Sequence, residues 1–176
     1  MKSGQDDAIA DDLGAMQRYA RSLARSHHDA DDVVQDALVR AMERHKTFQP
    51  QRSRRRWLLA IVHNVFVSHK RRAAAESRRN ERFAETLMAH VDPEQDHRLR
   101  LMQIARAFSE LSDHHRAVLH LIAVEGLSYQ EAADVLDVPV GTIMSRLARA
   151  RAALQRGETE TKDRRTPLRV VGGQDD

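Results

Sequence analysis

The chain's 176 residues give room for one domain of ordinary size or two small ones. Hydrophobic residues at 41% allow a core, but aromatics at only 4% mean that Leu, Val, Ile and Ala must build it, which favours helices. The absence of cysteine excludes disulfides, Cys-ligated zinc and thiol nucleophiles. Charge is uneven: residues 52–82 carry 10 basic against 2 acidic side chains, and residues 140–157 carry 4 basic and none acidic, while the intervening residues 83–139 carry 4 basic against 10 acidic. Two basic blocks on acidic ground point to two contacts with a polyanion, because evenly mixed charge would not focus potential. The opening "MKSGQDDAIADDLGAM" holds four aspartates and no apolar run of signal-peptide length, and nothing approaches the roughly 18 apolar residues of a membrane span. The expectation is a soluble, intracellular protein without membrane insertion.

A first helix is predicted from about Leu13 to Ala24. Asp29 is placed to cap a second helix from about Ala30 to Lys46, whose Val33, Val34, Ala37, Leu38, Ala41 and Met42 make an apolar stripe. "TFQPQRS" interrupts it, since Pro50 disfavours helix at Gln49. From Arg54 the helical period resumes with Trp57, Leu58, Ile61, Val62, Val65 and Phe66 on one side and His63, Asn64, Ser68, Lys70 and Arg71 more exposed. Residues 74–91 have weak apolar spacing and are predicted to be a linker.

Structure restarts at "DPEQ", where Asp92, Pro93 and Gln95 have capping-box spacing. A helix to about Glu110 is followed by one that Ser112 caps and Gly126 closes. Ser128 and Glu131 form a second capping box, opening a short helix to Leu136. After "DVP" the last helix starts near Val140, with Ile143, Leu147, Ala150 and Leu154 as a narrow inward stripe. At 100° per residue, Ser145, Arg149 and Arg156 lie opposite it, Thr142 and Arg146 on one flank and Arg151 on the other. From Gly157 a polar, mobile tail is expected.

A short helix, a tight turn and a second helix with a polar, arginine-bearing face make a helix-turn-helix, whose second helix lies in the DNA major groove. Gly141, Thr142 and Ser145 are small or hydroxylated and allow close approach, while Arg146 and Arg149 can bond phosphates or the guanine edge. An ordinary surface helix with solubilising arginines is the plain alternative.

"LSDHHRAVLHLIAVEGLSYQEAADVLDVPVGTIMSRLARARAAL" resembles the C-terminal region four of extracytoplasmic-function (ECF, group IV) sigma factors, small members of the sigma-70 family that direct bacterial RNA polymerase to promoters. "DADDVVQDALVRAMER" resembles the region-two helix that docks on polymerase, and "RRRWLLAIVHNVFVSHKRR" resembles the region that engages the upstream promoter element. The resemblance covers about residues 10–156 and implies an all-α fold of two helical domains: region two over 10–73, a linker over 74–91, region four over 92–157 and a disordered tail over 158–176.

By resemblance, Asp32, Gln35 and Asp36 fall where the family contacts the clamp helices of the polymerase largest subunit. The loop from Thr47 to Arg54, with Phe48 and Arg54 in it and His63 and Asn64 on the next helix, matches where the family captures an unstacked base of the minus-ten element, and Lys70, Arg71 and Arg72 would hold the backbone. Trp57 reads as core. Gly141, Thr142, Ser145, Arg146 and Arg149 would read the minus-thirty-five element as duplex, although Met144 and Ala148 replace residues that are often basic or bulky. The implied partners are core RNA polymerase, through its clamp helices and flap region, promoter DNA, and an anti-sigma factor that hides both surfaces in a stress or envelope response. The implied location is the cytoplasm, on the nucleoid when polymerase-bound.

Ten histidines raise the question of a metal, but the pairs His27/His28 and His114/His115 are adjacent and point about 100° apart on a helix, with no H-E-x-x-H beside them. No nucleophile set or phosphate loop is present, so no cofactor and no enzyme activity are expected. Two rivals stay open: a helix-turn-helix regulator that binds duplex alone, which leaves the helix at 54–72 unused, and a sigma mimic that occupies a regulator without binding promoters.

Overall fold

A computed structural model describes residues 3–49, 51–79 and 105–163. Its regular elements are helices: α1 (Ser3–Leu23), α2 (His27–Glu43), a 3-10 turn at His45–Thr47, α3 (Arg54–Arg79), α4 (Asp113–Ala123), α5 (Tyr129–Leu136) and α6 (Val140–Asp163), with a helical turn over residues 105–110. The first three helices pack on one another as a three-helix unit, and α4, α5 and α6 form a second. The expected Asp92–Gln95 capping box, Pro50 and residues 80–91 of the expected linker lie outside the described residues.

The local signals explain most helix ends. Ser26, not the predicted Asp29, caps α2: its extended backbone lets Oγ accept the Asp29 N–H at 3.1 Å. The Ser128 capping box is complete, with Oγ accepting the Glu131 N–H at 3.3 Å and the Glu131 carboxylate accepting the Ser128 N–H at 2.9 Å. The Ser128 backbone N–H, and after it the Ser128 hydroxyl, hold the Glu131 carboxyl below its ordinary value. Gly126 leaves α4 with φ +70°, and Asp137 closes α5 in the left-handed region at φ 51°, where a short polar side chain is tolerated. The turn into α6 is thereby tight, with the Pro139 carbonyl accepting the Thr142 N–H at 2.9 Å.

Three helices run longer than expected. α1 begins at Ser3, ten residues before Leu13, because Gln5 to Ala10 contains no helix breaker. α3 continues six residues past 73 through "AAESRR", a run rich in strong helix formers, and α6 passes Gly157, whose interior cost of about 1 kcal/mol is tolerated among Glu and Lys.

Both units share one continuous core. Met16, Tyr19, Leu23, Val33, Leu59, Val62 and Val65 from the first unit and Val118, Leu121, Ile143 and Leu147 from the second are buried in it. Leu59 joins this set although it stood outside the predicted stripe of α3. α4 lies against α1, and α5 against α3. Burying one large aliphatic side chain contributes about 1.5–3 kcal/mol, so this shared core is a substantial joint.

Replacing Ser128 by Ala removes a cap from the helix that sets the angle of α6. The expected loss is about 1 kcal/mol of stability, read as a lower midpoint in denaturant titration; an unchanged midpoint would contradict the capping role.

Candidate nucleic-acid and polymerase interface

The face of α6 follows from its inward stripe. Ile143, Leu147 and Ala150 are buried and Leu154 half-buried, which leaves Gly141, Met144, Ser145, Ala148 and Arg149 exposed along one side. Arg149, Arg151 and Arg156 reach solvent, while Thr142 and Arg146 are half-buried on the flank. Ser145 Oγ donates back to the Thr142 carbonyl at 3.0 Å, so its remaining capacity toward a ligand is as an acceptor. A Cβ built on Gly141 meets nothing within 4 Å, so no neighbour in the fold requires glycine there.

On α2, Ala30, Val33, Val34, Ala37 and Ala41 are buried, but Leu38 and Met42 are not: they are 37% and 67% exposed. The predicted stripe was too wide. At 100° per residue, Met42 lies 140° from Ala37, beyond the arc that α1 and α3 cover. Val39, 48% exposed, points directly away from the core and shares its face with Asp32, Gln35, Asp36 and Met42. The three polar candidates thus frame an apolar surface that sequence periodicity had assigned inward. The signal that could have found it is the excess of apolar residues, since the buried positions 30, 33, 34, 37 and 41 already close the stripe. Asp36 also holds His69 of α3, with Nε2 to Oδ2 at 2.7 Å.

The candidates around the loop and α3 divide into three groups. Phe48 is half-buried with its ring tilted on Trp57, centroids 5.3 Å apart, and Trp57 packs on the core. Arg54 is tied by Nε to Asp12 Oδ2 at 2.5 Å, and Arg55 reaches the other oxygen at 3.4 Å. Asp12 is itself buried, so this pair anchors α3 to α1. Asn64, Arg71 and Arg72 are exposed, whereas Lys70 is exposed but paired with Asp113 of the second unit.

His63 departs from its predicted open position. It is half-buried, stacks on Tyr19 and takes the Tyr19 hydroxyl at 3.0 Å on Nδ1. Burial, then the nearby His114 and Arg146, lower its pKa from 6.5 to about 4. Burial pushes the Tyr19 phenol far up, so it stays protonated and donates. The His120 ring also lies against Tyr19, tilted with centroids 5.3 Å apart. His120 is also held below its ordinary value by burial, a shift that the Glu125 carboxylate opposes. Its Nε2 is 3.3 Å from Glu125 Oε1, yet outside hydrogen-bond geometry. Arg18 of α1 reaches the same carboxylate through Nε and Nη2 at 3.2 and 3.4 Å. Arg116, also buried, bridges the units: Nη2 donates to the Leu23 carbonyl at 3.0 Å and to Asp113 at 2.6 Å. His115 is lowered by burial and then by Arg149 and Arg146, which places both arginines near α4.

No group of three His, Cys, Asp or Glu able to hold a metal occurs among the described residues. Among those residues, no helix is long and apolar enough to cross a membrane. A helix-turn-helix unit with an open, arginine-bearing second helix, joined to a three-helix unit with an acidic and apolar outer face, defines a helical protein of the transcription machinery. Residues 8–76 match the model of sigma-70 region 2, and residues 101–154 match that of sigma-70 region 4. The ECF RNA polymerase sigma factor EcfG of Rhodopseudomonas palustris is 35% identical over 154 residues, 84% of this chain and 83% of that protein. CnrH of Cupriavidus metallidurans is 35% identical over 155 residues, covering 80% and 78%. Among solved structures, the sigma factor RpoE of Bartonella quintana, in complex with the anti-sigma factor NepR, matches with TM-score 0.75 and 31% identity over 90% of this chain and 98% of that one. The chain belongs to the extracytoplasmic-function sigma factors of the sigma-70 family.

Because His63 is depressed, it stabilises the packed state fully above the unfolded value near 6.5, and that contribution is lost as pH falls toward about 4. Denaturant titrations at pH 7.5 and 5.0 are expected to show a loss of at most about 2 kcal/mol from this group. His63→Gln keeps an acceptor for Tyr19 without titrating, so its pH dependence should be shallower than that of the wild type; equal slopes would contradict the assignment.

Proposed function

We propose that this sigma factor uses the outer face of α2 to hold core RNA polymerase and the exposed face of α6 to read duplex promoter DNA, as a member of the group IV branch working in the cytoplasm and on the nucleoid. The observation that carries this reading is the pairing of two open surfaces of opposite character. On α2, Asp32, Gln35 and Asp36 surround exposed Val39 and Met42, a mixed surface suited to a partner with basic and apolar groups. On α6, Arg149 follows a nearly chargeless first turn, as a helix end entering a groove requires. The domain limits that accompany this reading are 10–73 for region two and 92–157 for region four.

The minus-ten role falls on Phe48, Arg54, His63, Asn64, Lys70, Arg71 and Arg72. Asn64, Arg71 and Arg72 are ready to take single-stranded DNA, whereas Lys70 is held by Asp113 and His63 lies beneath the second unit. Full engagement of that strand therefore requires region four to leave α3. An anti-sigma partner belongs to the same reading: RpoE was solved with NepR, and CnrH, 30% identical at a TM-score of 0.61, with the cytosolic domain of CnrY.

The polymerase surface is tested by measuring affinity for bacterial core RNA polymerase with Val39→Asp and Met42→Asp combined. Losing two apolar contacts and adding two charges is expected to weaken binding at least about tenfold, while the helical circular dichroism spectrum is unchanged because both side chains are exposed. Undiminished binding would remove α2 from the polymerase interface.

A further inference from the structure

The open face of α6 carries a chemical choice beyond arginine and phosphate. Over its first two turns, the exposed positions are Gly141, Met144 and Ser145, while Ile143 and Leu147 are buried and Thr142 and Arg146 are half-buried on the flank. Met144 is 51% exposed and, among the described residues, is the one large hydrophobic exposed on α6. It stands between Gly141 at i−3 and Ala148 at i+4, both exposed and small, so nothing of comparable length rises beside it along the face. Ser145, the other long-axis neighbour, has turned its hydroxyl hydrogen back to the Thr142 carbonyl. The part of a recognition helix that enters the groove first thus presents an unbranched apolar arm in place of a hydrogen-bond donor.

Major-groove edges differ in what they offer such an arm. Guanine, adenine and cytosine present acceptors and donors, and covering these with a thioether leaves them without partners. Thymine alone among the four bases adds a C5-methyl group, which gains from apolar contact. We propose that Met144 is a specificity-determining residue that contacts a thymine methyl in the upstream promoter element. Gly141 supports the same approach. A Cβ there would meet nothing within 4 Å, so the fold does not require glycine at this position and the missing side chain leaves space only toward the outside. The inference rests on the reading of α6 as the duplex-reading helix.

The test uses the holoenzyme, full-length chain with bacterial core RNA polymerase, on a promoter duplex that it selects from a pool of bacterial promoter fragments. Each thymine of the upstream element is replaced singly by deoxyuridine, which removes the methyl and leaves the pairing intact. At one position or at two adjacent ones the replacement should weaken binding about fourfold, the value of one buried methyl. Met144→Ala should bind the thymine and uracil duplexes equally, at the weaker affinity, whereas Arg149→Ala should weaken both and keep their ratio. Gly141→Ala should raise the unfolding midpoint and yet weaken promoter binding. An upstream element without thymine, no thymine-to-uracil discrimination at any position, or discrimination that survives in Met144→Ala would overturn the proposal while leaving the duplex-reading role intact. A holoenzyme that selects no promoter, or whose selection is unaffected by Arg146→Ala and Arg149→Ala together, would overturn that role and this proposal with it.

Discussion

Tyr19 is the point at which the molecule is held together. It has no exposed surface, its hydroxyl meets His63 of α3, and its ring contacts His120 of α4. One side chain from α1 therefore contacts both units. A buried phenol must find a hydrogen-bond partner, because an unmet hydroxyl costs roughly 1–3 kcal/mol, and His63 is the acceptor that satisfies it. Around this centre, Arg116 donates to the end of α1 at Leu23 and Arg18 neutralises the buried Glu125 carboxylate. Buried charges of this kind tolerate no half-measures: each is stable only while its opposite element is in place.

That joint decides which functional surfaces are open. Among the described residues, α2 packs on its own unit and its acidic and apolar face is exposed, as is the outer side of α6. The inner side of α3 is different, since His63 is covered and Lys70 is paired across the seam with Asp113. Lys70, which helps to close the seam, is thus also one of the residues proposed to hold a nucleic-acid strand. Their hydrogen bonds, unlike a purely apolar contact, can be exchanged for water or phosphate at modest net cost.

Much of this was legible in the sequence, and the reasons it was are local. The all-helical class, the Ser128–Glu131 capping box and the Ile143–Leu147–Ala150 stripe depend on neighbouring residues, so the expected elements appear where pattern places them. What depends on another helix was not legible. The fate of Leu38 and Met42 is set by how far α1 and α3 wrap around α2, and periodicity alone cannot give the width of that arc. His63 looked exposed because it stands off the apolar stripe of α3; its partner Tyr19 belongs to α1, and the nearby His114 and Arg146 belong to helices some fifty or more residues further on. Ser26 replaced Asp29 as a cap because two acceptable capping residues stood three apart, and only the backbone angle separates them.

The account is tested most directly by run-off transcription with bacterial core RNA polymerase on a pool of promoter fragments, with and without the protein. It predicts initiation from a restricted set of fragments that appears only when the protein is added. Sequence-specific binding of duplex by the protein alone, with no association with core polymerase and no added transcripts, would contradict it.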